Sequence, residues 1–278
     1  MNRTLLAVDL SYQSYRASAA HPNLTSDGTF TGGLFGFFQS VSKMIRECNA
    51  DQIVFCADCK PYKRSEQFPE YKQWRVATRN EELLTKHKQT MTLLRQILPD
   101  LGLPIWELPG FESDDLIGHA VRKYRHRYRR IVAASNDSDL FQLLEADNFY
   151  VLRETEWASA WNRQRLLDKK GLTPDQYMLA TALMGTHNDL PGIKGVGQVT
   201  AMNAVLEPGK LRALRDKHAD IIDRNLALIK LPHPEFPWGA RIPMATGEFD
   251  SRALYRALGR YDIQVTMSMV NALEQVLP

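Results

Sequence analysis

Eight carboxylates stand where apolar runs give way to loops or helices. Asp9 closes the run from Thr4 to Val8, and Asp58 follows Ile53 to Ala57. Glu112, Asp114 and Asp115 fall together in Phe-Glu-Ser-Asp-Asp-Leu. Asp137 and Asp139 follow Ile131 to Ser135, and Asp189 lies in a glycine-rich segment. In an open α/β sheet the carboxyl ends of the strands face one crevice, where ligands bind. Acids gathered there repel one another unless a cation is held among them. Oxygen-only ligands suit Mg²⁺ or Mn²⁺, and two such ions suit the hydrolysis of a phosphodiester. Each acid also has a plainer use. Asp and Glu cap helices, favour helix N-termini and stabilise turns. Capping alone does not explain acids at four separate strand ends.

The elements that must position these acids are legible as alternating runs. Strands are expected at about 4–9, 52–57, 103–107, 130–135 and 147–153. Helices are expected at about 33–47, 80–98, 113–126 and 138–145. Near-continuous apolar strands separated by helices imply an α/β fold: a mostly parallel, twisted central sheet with helices on both faces. One segment breaks the alternation. From Cys59 to Asn80 the chain is polar, basic and aromatic, too long for a routine connection. Near residue 172 the texture changes. Thr173-Pro174 opens a helix, and the rest reads as helical, which divides the chain into 1–172 and 173–278.

At 278 residues, with 44% hydrophobic and 24% charged residues, the chain has the composition of a globular protein. No apolar run has the length of a membrane span, and no signal-peptide pattern opens the chain, so a cytoplasmic location is expected. The net charge of +3 conceals segregation. Residues 60–95 hold nine Lys and Arg against four Glu, and residues 122–130 hold six bases and no acid. Acids in a cleft with bases around it suit a polyanion. Cys48, Cys56 and Cys59 are too few for a disulfide framework or a zinc site. Cys56 is expected in the core, and Cys59 is incidental.

Leu190-Pro-Gly-Ile-Lys-Gly-Val-Gly197 is the second informative segment. A nucleotide-binding loop is excluded, because Gln198 stands where the lysine should be and no strand precedes. A helix–hairpin–helix fits better. Gly192, Gly195 and Gly197 would let the backbone approach a phosphate beside Lys194, and the next helix would offer free N–H groups. Such a grip holds the backbone without reading bases.

Taken in order, these motifs resemble the 5′-nuclease superfamily of flap endonucleases and 5′→3′ exonucleases, in particular its bacteriophage branch. Val8-Asp9 through Arg16 is similar to the N-terminal metal motif, and Phe55-Cys-Ala-Asp58 to the second acidic strand end. Arg64 through Arg75 resembles the start of a helical arch, here spanning about 60–95. Gly110-Phe-Glu112-Ser-Asp114-Asp115 and Ser135-Asn-Asp137-Ser-Asp139-Leu-Phe-Gln-Leu resemble the two central acidic boxes. Leu183 through Ala201 resembles a helix–three-turn–helix element, and Arg224 through Pro232 a late helix. The resemblance implies two or more Mg²⁺ or Mn²⁺ ions, with Asp9, Asp58, Glu112, Asp114 and Asp115 around the first. Asp137, Asp139 and Asp189 would hold the second, and a monovalent cation would fit the hairpin. It implies Lys72 and Arg75 at the scissile phosphate and Arg16 as a phosphate or acid-network partner. Tyr12 and Tyr15 would stack on bases, and Lys63 and Arg64 would guide the strand. The implied partner of this monomer is DNA with 5′ flaps, junctions or duplex ends. RNA·DNA hybrid is an alternative substrate, and a non-catalytic branched-DNA-binding protein is an alternative class. One departure stands out: Thr186 replaces the first Asp expected before Asp189.

Overall fold

The computed structural model describes residues 3–72, 80–186, 190–245 and 249–277. Its centre is a five-stranded parallel sheet: β1 (Thr4–Asp9), β4 (Gln52–Cys56), β5 (Ile105–Trp106), β6 (Arg130–Ala134) and β7 (Phe149–Leu152). The spatial order is β5-β4-β1-β6-β7. The chain therefore winds outward from β1 in one direction and then in the other, so the topology reverses between β1 and β6. Crevices at such switch points open at the carboxyl ends of the strands. A short hairpin, β2 (Thr25–Ser26) with β3 (Thr29–Phe30), projects from the side.

Alternation sets the two faces. Leu6 and Val8 of β1 enter one core with Ile53, Phe55, Val132 and Ala134. Leu5 and Ala7 enter the other with Val54, Ile131 and Ala133. Both faces are buried, which is why the strands read as unbroken apolar runs. The first face is covered by α1 (Leu10–Ala20), α2 (Gly32–Cys48) and α4 (Glu81–Asp100). Between α2 and α4 comes the single-turn α3 (Lys63–Gln67). The second face is covered by α5 (Ser113–Tyr124) and the 3-10 helix Ser138–Glu145.

Beyond β7 come α6 (Arg163–Lys170), α7 (Pro174–Met184), the two-residue strands β8 (Gly185–Thr186) and β9 (Leu190–Pro191), α8 (Gln198–Leu206) and α9 (Pro208–Ile229). These last helices enclose a small core of their own around Leu183, Ile193, Ala201 and Ile222. The final helices, α10 (Ser251–Gly259) and α11 (Met267–Val276), do not stay with it. Leu254, Leu258, Leu273 and Val276 return to the first face of the sheet beside Leu34 and Phe37. The chain after residue 250 thus completes the core begun by residues 4–57, which a single boundary at 172 does not convey.

Two details differ from the sequence reading. Helix α1 is unanticipated, and β5 has only two residues where five were expected. Cys48 and Cys56 are buried free thiols, and Cys59 is a half-buried one. Among the described residues no helix is long and apolar enough to cross a membrane.

Candidate metal centre

The acidic positions converge because each one caps or follows an element that ends at the same edge of the sheet. Asp9 closes β1 and caps α1, accepting the Tyr12 N–H at 3.0 Å. Its other oxygen accepts the Ser135 hydroxyl at 3.0 Å, which ties β1 to the end of β6 across the switch point. Asp58 follows β4 and accepts the Ser113 N–H at the start of α5 (2.9 Å). Asp137 caps the 3-10 helix through the Asp139 N–H (2.8 Å). A narrow cleft of about 20 Å³ is lined by Tyr71, Lys72, Glu112, Asp114, Asp137 and Asp139, and closed by Leu228, Ile229 and Leu231.

The acids divide into two electrostatic sets. Glu112 and Asp115 are already answered by bases. Arg64 is buried and donates to Asp115 through both terminal nitrogens (2.5 and 2.7 Å) and to Glu112 at 3.0 Å. Glu112 also accepts the Tyr71 hydroxyl at 3.0 Å and pairs with Lys72. Burial by itself would raise the Glu112 pKa, but Lys72 and Arg64 bring it below the usual carboxylate range. Asp115 further accepts the N–H groups of Glu112 (3.1 Å) and His233 (2.7 Å).

The second set lacks such compensation. Burial, then the charges of Asp58 and Asp137, push Asp9 up to about 7. Burial, then Asp137 and Asp9, push Asp114 well above the carboxylate range. One Asp114 oxygen is buried with no hydrogen-bond partner. Like charges held this close keep a proton or gather a cation. An orphaned carboxylate oxygen among oxygen-only donors fits a hard divalent ion. Among the described residues no three of these side chains form a ready-made chelate, so the donors flank the cleft without closing around one point.

Several of the expected residues have partners within the fold. Arg64, expected to guide the strand, is buried at the wall of the cleft. Besides its two acids it donates to the carbonyls of Leu228 (2.6 Å) and Lys230 (3.2 Å). Asp115, expected near the first metal, is the partner of Arg64, whose two terminal nitrogens occupy its two oxygens. Lys63 is held by Glu66 (3.0 Å) and Glu235 (3.7 Å). Gly192 packs against the hairpin, where an added Cβ would lie 2.1 Å from the Met184 carbonyl carbon. It keeps two chain segments together. Thr186, where an acid was expected, accepts the Leu190 N–H at 3.1 Å and closes the hairpin.

The other expected residues have varied surroundings. Lys72 is in place at the cleft wall, its ammonium over the Tyr71 and Tyr62 rings. Arg16 is half-buried with one terminal nitrogen buried and unpartnered. Tyr12 is half-buried near Arg16, and Tyr15 is exposed, edge-on to His87 at 5.7 Å. Lys194, Gly195 and Gly197 are exposed on the hairpin. Arg75 and Asp189 lie outside the described residues. Three contributors were not anticipated: Ser135, Tyr71 as a Glu112 partner, and Arg153, which holds Asn136 (2.5 Å) beside Asp137. Only Ser135 had a local signal, its place two residues before Asp137.

Fold and cleft together define a parallel α/β protein with an acidic cleft at its switch point. The chain belongs to the 5′-3′ exonuclease family: residues 4–171 match the model of that family's N-terminal resolvase-like domain. It is 33% identical to the thermostable DNA polymerase I of Thermus aquaticus over 215 residues, 76% of this chain and 24% of that one. It is 30% identical to a 5′-3′ exonuclease of Aquifex aeolicus over 213 residues, 75% of this chain and 71% of that one. The chain thus spans about a quarter of the length of the polymerases it matches. Among solved structures it is similar in fold to T5 5′-exonuclease with bound zinc (TM-score 0.68, 21% identity, 83% of this chain and 90% of that one). Flap endonuclease-1 from Methanococcus jannaschii is also similar in fold (TM-score 0.64, 15% identity, 99% and 93%).

Proposed function

We propose that this chain is a divalent-metal-dependent 5′ nuclease that hydrolyses phosphodiesters of branched or 5′-ended DNA near the junction of single and double strand. The observation that carries the reading is the unpartnered Asp114 oxygen near Asp9, in a buried acidic cleft that Asp137 and Asp139 also line. Family membership and the names of the relatives, a 5′-3′ exonuclease and a flap endonuclease among them, support it.

Asp9, Asp58, Asp114, Asp137 and Asp139 would hold the ions, which we take to be two Mg²⁺ or Mn²⁺. Bound there, such ions supply a hydroxide at neutral pH and offset charge on the transferring phosphoryl group. Glu112 and Asp115 serve from behind: paired with Lys72 and Arg64, they fix the first turn of α5 and so aim Asp114. Lys72 is placed to meet a phosphate oxygen as negative charge develops. Water is kept out on one side by Leu228, Ile229 and Leu231.

The hairpin is the proposed grip on the duplex, a helix–three-turn–helix with room for a monovalent cation. Gly197 precedes α8 without any side-chain cap, so the first N–H groups of α8 are free for a phosphate. Gly195 and Gly197 have nothing within 4 Å of an added Cβ, so a backbone can approach closely.

Cleavage of a 5′-labelled flap substrate with Mg²⁺, Mn²⁺ or EDTA, beside Asp137→Ala, tests this reading. Metal-dependent product near the junction, lost in the variant, is expected. Binding without cleavage under every condition would leave a branched-DNA-binding protein. An RNA·DNA hybrid run alongside settles the substrate preference.

A further inference from the structure

The basic run Arg122–Arg130 lies at the end of the molecule opposite the acids. Helix α5 begins beside Glu112 and ends at this run, and β6 begins at Arg130 and ends beside Asp137. At about 1.5 Å per residue, the length of α5 separates the two by about 18 Å. Phosphates bound here are therefore not the ones cut in the cleft.

Arg122, Lys123, Arg125, Arg127 and Arg129 are all exposed. The backbone that carries them is fixed. Arg129 donates its N–H to the Arg3 carbonyl and Arg127 to the Tyr124 carbonyl (2.8 Å each). The Asn148 amide bonds the carbonyls of Arg125 and Tyr128 (2.8 Å each). Charge is displayed on an ordered turn.

Some surface bases elsewhere have acid partners: Lys43 with Glu156, Arg163 with Glu145, Lys210 with Glu207 and Arg256 with Asp250. Among the described residues none of these five exposed bases forms an ion pair, though Lys123 donates to the Ala240 carbonyl and Arg125 to His126. Three of them lean on aromatic rings. Lys123 and Arg127 lie over Tyr124 (5.6 and 5.4 Å), and Arg122 lies over Trp238 (6.0 Å), which is itself 55% exposed. One exposed carboxylate, Asp147, is on the adjoining loop and pairs with none of them.

Five like charges on the last turn of α5 and the turn that follows it, none of them in an ion pair, repel one another and favour a polyanion. The turn offers a peptide little to bind, because the N–H groups of Arg125, Arg127, Arg129 and Ile131 are already bonded within the fold. What remains is a fan of side-chain charge, four guanidinium forks and one ammonium, suited to phosphate oxygens without regard to sequence.

We propose that this end of the molecule is a second duplex-DNA surface, which holds the phosphate backbone of a distal arm of a branched substrate. It rests on the charge and its placement, and stands whether or not the acids cut.

The test is the triple variant Arg125→Glu/Arg127→Glu/Arg129→Glu, with the triple Gln variant as a milder control and thermal melting to confirm the fold. Binding of a 30-base-pair duplex, read by anisotropy in EDTA over a salt series, should weaken at least tenfold at low salt. The slope of log affinity against log salt should become shallower by about 2 to 3, since each phosphate contact contributes about 0.9. Cleavage of a flap substrate with arms too short to span the molecule should stay within twofold. A long-armed flap that loses affinity assigns the surface to the substrate's own arm. Loss only toward an added duplex would overturn that occupant in favour of a second molecule. Unchanged duplex affinity and slope would overturn the proposal, and weaker binding only to a poly-Glu peptide would replace it with an acidic protein partner. Loss of cleavage in the unmodified protein would sink the nuclease reading without touching this one.

Discussion

Arg64 meets Asp115 through two parallel N–H···O bonds of 2.5 and 2.7 Å, both groups buried, 51 residues apart in sequence. The pair joins α3 to the first turn of α5. Through the Leu228 and Lys230 carbonyls it also joins both to the end of α9. Removing one partner leaves a buried charge unanswered, which costs about 3–5 kcal/mol. Urea denaturation of Arg64→Ala and Asp115→Asn should show a loss of that order. Arg64→Lys should recover little of it, because an ammonium cannot make the two-pronged contact. A loss under 1 kcal/mol in both would mean that the pair does not organise the cleft.

Asp9 gives the metal-free protein a pH dependence of definite sign. Burial and the neighbouring acids keep its proton up to about pH 7, against 3.8 for an ordinary Asp. The folded state binds a proton that the unfolded chain has already released. Stability should therefore fall as pH rises from about 4 to about 7, and level off above, by on the order of a few kcal/mol. In EDTA, urea unfolding at pH 5 and pH 8 should show the wild type losing stability at the higher pH and Asp9→Asn losing much less. Mg²⁺ or Mn²⁺ should restore the wild type mainly at pH 8. Equal pH slopes for the two proteins would rule out Asp9 as the source.

Lys72 and Lys63 are nine residues apart and make opposite predictions. Lys72 reaches Glu112 at the cleft wall, while Lys63 is turned to Glu66 and Glu235. In single-turnover cleavage Lys72→Ala should be slower by about 100-fold, the usual effect of deleting one stabiliser of developing charge. Lys63→Ala should stay within about threefold. Comparable rates for the two variants would remove Lys72 from the chemistry.

The strands and their acids were legible because burial on both faces writes unbroken apolar runs, and strand-end Asp and Glu interrupt them visibly. Helix α1 was not. Ser14 and Ser18 are buried in it and satisfied by the carbonyls of Ser11 and Ser14, so its sequence lacks an apolar stripe. The interior place of Arg64 was hidden for a different reason. It stands in a basic stretch that reads as surface, and only its distant partner, Asp115, makes burial tolerable. Asp115 itself matched a metal motif by spacing, and spacing does not tell which acid faces the cleft and which faces a guanidinium. The return of α10 and α11 to the sheet is tertiary packing that no local pattern announces.

The hairpin separates packing from binding among its glycines. Gly185, at φ +77°, would carry a Cβ only 2.4 Å from the Gly192 nitrogen and the Leu190 oxygen. Gly195, at φ +85°, has open space in every direction. Gly185→Ala must push apart two strands of backbone in addition to straining its own, and should lower stability by several kcal/mol. Gly195→Ala meets only the conformational penalty, about 1–2 kcal/mol, but places a methyl group where a DNA phosphate would approach. Melting should therefore single out Gly185→Ala. Duplex affinity of the folded protein should single out Gly195→Ala, weakened about tenfold, and Lys194→Ala, whose salt slope should fall by about 1. If Gly195→Ala binds duplex as well as the wild type, the hairpin is a structural turn, and the grip on the duplex must be sought elsewhere on the molecule.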